Sequence, residues 1–277
     1  MDNITLKDIL NPVDPKRFWL HYWGKKHLVI RRNIFKTLFK WNDFNNVMNN
    51  YPDNLNHLQV LDYDGKGKSW CLNKVKTGKL KLPMLSKEQL FEFWQSGKTF
   101  VLPSAEYTKE KFVAICDEFE RYFNRGTVNI YCSSKKDAVG FPAHCDQTEN
   151  FLFHTEGKVK WTIYENSAPN KEPGKVVDEF VLEPGDLLYI PQYRYHKAES
   201  LTPRISISIH FANKKNQTLK KFNITPKGKG MYRPKWYDWV PKDLYFNKKG
   251  YRKNEVPKRF RMGGSNWKKT YFNNLKK

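Results

Sequence analysis

The sequence predicts an α+β fold: a double-stranded β-helix of the jelly-roll or cupin type, flanked by N-terminal helices and followed by a basic C-terminal extension. Three observations predict it. Before residue 126 apolar residues recur mostly at helical spacing. After Gly126 the period changes to alternation. From there to Phe211 short alternating runs recur between glycine, proline and asparagine turns, the pattern of a closed or double-sheet β structure and not of a parallel sheet. The chain accordingly divides into 1–126, a helix and strand region packing on the barrel; 127–212, the barrel core; and 213–277, the extension. At 277 residues it can bury a sizeable core, and an aromatic content of 16% sets it apart from disordered chains.

Taken in order, Asp14-Pro15 is an N-cap followed by proline at the first helical position, and Phe18, Trp19, Tyr22 and Trp23 then recur at helical spacing. The strand HLVIRR follows, then a short helix over 41–48. Ser86 with Gln89 makes a capping box for LSKEQLFEFWQS, which Gly97 closes, and TFVLP is a strand. A helix opening at Thr108 carries Phe112, Ile115, Cys116, Phe119 and Phe123 on one face and stops near Gly126. In the barrel, TVNIYC sets Val128, Ile130 and Cys132 on one face and Asn129 with Tyr131 on the other. FLFHT, KVKWTIY, EFVLE, DLLYI and RISISIHF are the strands that follow.

No internal repeat or glycine-rich phosphate loop is visible. No apolar run approaches the roughly 20 residues that cross a bilayer, and the start MDNITLKDIL lacks the basic and apolar regions of a signal peptide, so the expectation is a cytoplasmic protein with no membrane partner. Cys71, Cys116, Cys132 and Cys145 form no CxxC pair and are expected to be free thiols. Cys145 lies between His144 and Asp146, where alternation turns it away from both.

The chemistry is concentrated in FPAHCDQTEN and PGDLLYIPQYRYH. His144 and Asp146, one residue apart at a strand end, can turn toward one point, and His196 returns to it after the Pro184-Gly185 turn and an apolar strand. Two imidazoles and one carboxylate on one face of a metal leave three positions open, which suits non-heme iron(II) and its oxygen chemistry, whereas a structural zinc takes four protein ligands and more sulfur. HxD alone is a common surface pattern. Combined with the second segment, the turn, strand, proline and histidine acquire one joint explanation.

On these two segments, FPAHCDQTENFLFHTEGKVKW and PGDLLYIPQYRYHKAES, the sequence resembles the JmjC group of iron(II)- and 2-oxoglutarate-dependent oxygenases, within the cupin superfold. The metal segments are similar to those of the asparaginyl hydroxylase that inhibits hypoxia-inducible factor. RFWLHYWGKKHLVIRR and NIYCSSKKDAVGFPAH are more similar to ribosomal oxygenases, and the resemblance covers about residues 14–212. It implies Fe(II) and 2-oxoglutarate as cofactors, oxygen as co-substrate, and His144, Asp146 and His196 as the iron ligands. It also implies that Asn129, Tyr131 and Asn150 line the 2-oxoglutarate pocket, and His210 takes the place of a pocket asparagine. His154 is given no role. Enzymes of this type hold the far carboxylate of 2-oxoglutarate with Lys or Arg two residues after the glycine that follows HxD. Here that residue is Val159, with Lys158 and Lys160 on the opposite face. Other 2-oxoglutarate oxygenases supply an arginine in an RxS pattern after the distal histidine. Arg204-Ile205-Ser206 fits it, with Arg204 gripping the carboxylate in two parallel hydrogen bonds and Ser206 adding a third.

The net charge of +22 is uneven. Residues 213–277 hold 20 Lys and Arg against three Asp and Glu, interleaved with 12 aromatic residues that include Trp236, Tyr237, Trp239 and Trp267. Cations that find phosphates and rings that stack on bases make RNA contact through the extension an expectation. Three functional readings follow: a hydroxylase of a protein side chain, in a ribosomal or other basic protein; an RNA (tRNA) nucleoside hydroxylase using the same cofactors; and a non-catalytic cupin that binds metal or RNA. Salt-sensitive RNA binding separates the last two from a purely protein-directed enzyme.

Overall fold

The alternation that begins at Gly126 continues through two packed antiparallel sheets in the computed structural model, which describes residues 4–31, 34–50, 58–61, 67–68, 72–77, 80–85, 87–122, 126–168 and 172–212. The extension at 213–277, together with Cys71, Ser86 and Phe123, lies outside the described residues. Helices α1 (Leu6–Leu10) and α2 (Pro15–His21) precede β1 (Leu28–Ile30) and α3 (Trp41–Asn50). Next come β2 (Gln59–Leu61), β3 (Gly67–Lys68), β4 (Leu72–Thr77), β5 (Leu80–Leu85), α4 (Lys87–Gln95) and β6 (Thr99–Leu102). A 3-10 turn, Ala105–Thr108, leads into α5 (Glu110–Phe119). The barrel strands are β7 (Gly126–Ser133), β8 (Thr148–Glu156), β9 (Val159–Tyr164), β10 (Val176–Leu182), β11 (Leu187–Ile190), β12 (His196–Ser200) and β13 (Arg204–Ala212).

Local signals explain the helices. The Asp14 carboxylate accepts from the backbone N–H of Lys16 at 2.8 Å and of Arg17 at 3.3 Å, with Pro15 in the first turn, so α2 starts where the cap and proline place it. The helix expected from Thr108 opens later. Thr108 Oγ1 donates to the Ala105 carbonyl, closing the 3-10 turn, and Lys109 is extended, so α5 begins at Glu110. Four of the five residues expected on its buried face, Phe112, Ile115, Cys116 and Phe119, are fully buried, and the helix ends at Phe119, short of the stop expected near Gly126.

The larger sheet has the order β1-β11-β8-β13-β7-β6-β2-β3, and the smaller β10-β9-β12. β6 pairs with β7, so the larger sheet runs across residue 126 without a seam. β13 sits between β7 and β8, and its strict alternation assigns each neighbour a side. Ile205, Ile207, Ile209 and Phe211 turn to the face covered by the helices, where Phe18, Phe119 and Phe151 pack edge-on or tilted around Tyr189 and Phe211. Each such buried aromatic contributes about 1.5–3 kcal/mol relative to exposure. Arg204, Ser206 and Ser208 turn the other way, into the space between the sheets. A second apolar cluster there, including Leu152, Val159, Trp161 and Leu188, closes the floor of the barrel. Pro184-Gly185 forms the anticipated turn, with Gly185 at φ 106°, which L side chains avoid. Among the described residues no helix is long and apolar enough to cross a membrane.

Candidate metal centre

His144 and His196 are backbone partners. Outside the named strands they form an antiparallel bridge, His144 N–H to His196 O at 3.1 Å and His196 N–H to His144 O at 2.8 Å. Directly opposed residues put their side chains on the same face, and the two rings lie 4.5 Å apart, centroid to centroid. Asp146 joins them from the same loop: its Oδ1 is 3.8 Å from His144 Nε2, and its Oδ2 is 3.6 Å from His196 Nε2. One ligand atom from each of the three lies within 4.8 Å of the other two. The Asp146 backbone is itself fixed, its carbonyl accepting from the N–H of Tyr193, a residue held at φ 63°.

Both imidazoles present the correct nitrogen. His144 Nδ1 is 2.8 Å from the Pro142 carbonyl and His196 Nδ1 is 2.8 Å from the Arg194 carbonyl. A carbonyl only accepts, so in the neutral rings each Nδ1 carries the proton and each Nε2 lone pair faces the other ligands. Burial, and then the neighbouring His144, lower the His196 pKa to about 4, with Asp146 opposing. His196 is 5% exposed at the side chain, against 35% for His144 and 41% for Asp146, so the centre is open on the HxD side. This donor set fits a hard-to-borderline divalent metal that keeps open positions.

Behind the triad the cavity runs between the sheets. His144, Asp146, His196, Tyr131, Asn150, Arg204 and Ser206 all line it. Asn129 and His210 stand further along the same strand faces, Asn129 opposite Ser208 and His210 opposite Asn150. Burial pushes the Tyr131 hydroxyl up to about 12, the Asp146 charge adding and a hydrogen bond from Asn129 opposing. Burial likewise lowers the His210 pKa, against the Asp146 charge. Asn150 donates from Nδ2 to Asp146 Oδ2 at 2.7 Å and accepts from Thr148 Oγ1 at 3.1 Å, so its amide orients the carboxylate.

Arg204 is 5% exposed. Its Nε donates to Ser200 Oγ at 2.8 Å and its Nη1 to Ser206 Oγ at 3.0 Å, and it makes no ion pair among the described residues. Burial lowers its pKa to about 10, which leaves it cationic at neutral pH. Val159 is fully buried, while Lys158 and Lys160 turn outward to Glu183 at 2.7 Å and Glu179 at 2.8 Å. Among the described residues one buried cation faces the cavity, and it comes from β13.

Sequence reasoning passed over three neighbours. Trp161, 4% exposed, puts its ring 5.7 Å from that of His196, and its indole N–H has no acceptor among the described residues. Phe141 packs on His144 at 5.3 Å. His154 bonds to Ser206 at the inner end. Trp161 and His154 share the alternation of Val159 and Asn150, a period-2 signal that was available. Cys145, a free thiol, is half-buried.

Residues 103–219 match the model of the JmjC domain family. Ribosomal oxygenase 2 of Rattus norvegicus is 27% identical over 223 residues, 74% of this chain and 45% of that protein. The bifunctional lysine-specific demethylase and histidyl-hydroxylase NO66 of Dictyostelium discoideum is 24% identical over 240 residues, 77% of this chain and 43% of its own length. Among solved structures, the Escherichia coli ribosomal oxygenase YcfD in complex with cobalt and 2-oxoglutarate superposes with a TM-score of 0.54 at 18% identity, over 76% of this chain and 54% of that one. The likeness establishes a JmjC cupin fold of antiparallel sheets. The chain spans less than half the length of these two curated relatives.

Proposed function

We propose that this JmjC-domain chain is an iron(II)- and 2-oxoglutarate-dependent dioxygenase that hydroxylates a protein side chain. One observation carries the reading: two histidines and an aspartate converge on a point at the mouth of a cavity whose inner wall holds a buried arginine with no ion-pair partner among the described residues. A buried cation of this kind is matched by an anion it can grip through parallel hydrogen bonds. Its position on the wall of the cavity behind a three-ligand metal face suits a dicarboxylate that reaches from the metal to the guanidinium.

When bound, iron(II) supplies the oxygen chemistry that converts a C–H bond into C–OH while 2-oxoglutarate is oxidised to succinate and carbon dioxide. The chain's own residues fix the geometry. His144, Asp146 and His196 hold the metal, with Pro142, Arg194 and Asn150 orienting them. Arg204 anchors the far carboxylate in place of the lysine or arginine missing at Val159. Tyr131 lines the cavity wall, with Asn129 further along the same strand face, and Trp161 and Leu152 keep it apolar and exclude water.

The substrate class rests on the relatives, which carry the names ribosomal oxygenase and histidyl-hydroxylase; a ribosomal or other basic protein is therefore the proposed substrate. The extension, with 20 basic residues in 213–277, suits RNA-rich surroundings such as a ribosome, and a cytoplasmic location agrees with this.

The test is an anaerobic titration of the metal-free protein with iron(II) and then 2-oxoglutarate, following the visible metal-to-ligand charge-transfer band, with His196→Ala as control. A saturable band lost in the variant is expected. Bound metal without a band would overturn the reading in favour of a binding protein. Mass analysis of ribosomal proteins and RNA after reaction separates a hydroxylated peptide from a hydroxylated nucleoside.

A further inference from the structure

His154 is completely buried on β8, and neither the metal face nor the proposed carboxylate anchor uses it directly. Its Nε2 lies 2.8 Å from the Gly157 carbonyl oxygen and its Nδ1 lies 2.9 Å from Ser206 Oγ. Burial is the main cause of a pKa lowered to about 4, so at neutral pH the ring carries one proton. The carbonyl can only accept, which puts that proton on Nε2 and leaves Nδ1 as an acceptor. The Ser206 hydroxyl must then donate to His154. Its oxygen is free to accept, and it does so from Arg204 Nη1 at 3.0 Å.

The result is a one-way chain of donors: Arg204 to Ser206, Ser206 to His154, His154 to the Gly157 carbonyl. Its end point is rigid. Gly157 turns at φ 72°, and a Cβ there would stand 1.8 Å from the Pro203 carbonyl oxygen, so the acceptor is fixed by a turn that only glycine fits. A second tie, Arg204 Nε to Ser200 Oγ at 2.8 Å, holds the near end of the guanidinium.

We infer that His154 is a positioning residue that acts through Ser206 to fix the plane of the Arg204 guanidinium, and that Ser206 serves the arginine as an acceptor and gives no hydrogen bond to the bound carboxylate. The inference rests on the reading of Arg204 as the anchor for 2-oxoglutarate. It deepens that reading by naming what makes a flexible side chain selective. Arginine has many rotamers, and a free guanidinium attracts any anion; one tied at two nitrogens presents its remaining N–H groups in one direction, to a carboxylate at one distance from the metal.

The experiment measures calorimetric binding of two probes to the manganese(II)-loaded protein: 2-oxoglutarate, and 2-oxobutyrate, which has the same metal-binding end and no far carboxylate. Arg204→Ala is expected to abolish the preference for 2-oxoglutarate. Ser206→Ala and His154→Phe are each expected to weaken 2-oxoglutarate about tenfold, in the range of lost outer-contact support, with 2-oxobutyrate unchanged. His154→Asn, whose amide oxygen stands near the place of Nδ1, is expected to recover most of that loss.

If Arg204→Ala abolishes the preference while Ser206→Ala and His154→Phe bind as the parent does, the positioning role is overturned and the anchor stands. If Arg204→Ala keeps the preference, the anchor reading itself fails. Equal weakening of both probes in His154→Phe and Ser206→Ala would show a packing role only, and would also overturn the inference.

Discussion

Asp146 is held by Asn150: the amide four residues on donates to Oδ2 at 2.7 Å, while Thr148 holds the other end of that amide at 3.1 Å. The carboxylate that completes the metal face is therefore aimed before any metal arrives, although its side chain is 41% exposed.

Removing that donor frees the carboxylate to rotate. Asn150→Ala is expected to weaken iron(II) or manganese(II) binding by about tenfold or more, the usual effect of losing an outer contact to a ligand, with little change in melting temperature. Chelator competition measures it, and parental metal affinity in the variant would contradict the assignment.

His154 makes stability depend on pH. Its pKa is lowered from 6.5 to about 4 in the folded protein, so the unfolded chain binds the proton more tightly. The contribution is complete above pH 6.5 and is lost as pH falls from there to about 4, amounting to roughly 3 kcal/mol at about 1.4 kcal/mol per pH unit. Urea unfolding of the parent and His154→Gln across this interval should show the parent losing more stability. A pH-independent difference between the two would count against it.

Gly157→Ala should be among the most damaging single-methyl changes in the barrel. Its φ of 72° and the 1.8 Å approach to a backbone oxygen cannot be relieved by a side-chain movement. A loss of about 2 kcal/mol or more is expected, together with weaker 2-oxoglutarate binding, because the His154 acceptor moves with the turn. Thermal melting and calorimetry on one sample check both.

The anchor should be transferable. Val159 lies opposite Ser200 in the β9–β12 register, and Ser200 accepts from Arg204. Val159→Lys alone sets two cations together in the interior and should destabilise by about 3 kcal/mol. Combined with Arg204→Ala it should restore 2-oxoglutarate binding lost in the single arginine variant. No recovery in a folded double variant would show that the two positions do not serve one carboxylate.

What was legible in the sequence was mainly what local rules govern. The change of period at Gly126, the Asp14-Pro15 cap and the alternation of RISISIHF each depend on neighbours a few residues away. The triad was visible because its two halves are each distinctive segments. What escaped depends on long-range pairing: Ser206 meets His154 across 52 residues, and Asn150 spends its donor on Asp146, neither of which has a sequence period. The late start of α5 escaped for a different reason, since the Thr108 hydroxyl serves as well in a tight turn as in a helix cap.

β13 separates two chemistries by parity alone, isoleucines toward the helices and Arg204, Ser206 and Ser208 toward the cavity. Inserting or deleting a single residue there would exchange the two sets over the rest of the strand, pressing hydroxyls and a guanidinium against aromatic rings while isoleucines sealed the cavity. Length variation in this strand is therefore tolerable only in steps of two, and lineages that keep the site should show even-numbered gaps at this point or none.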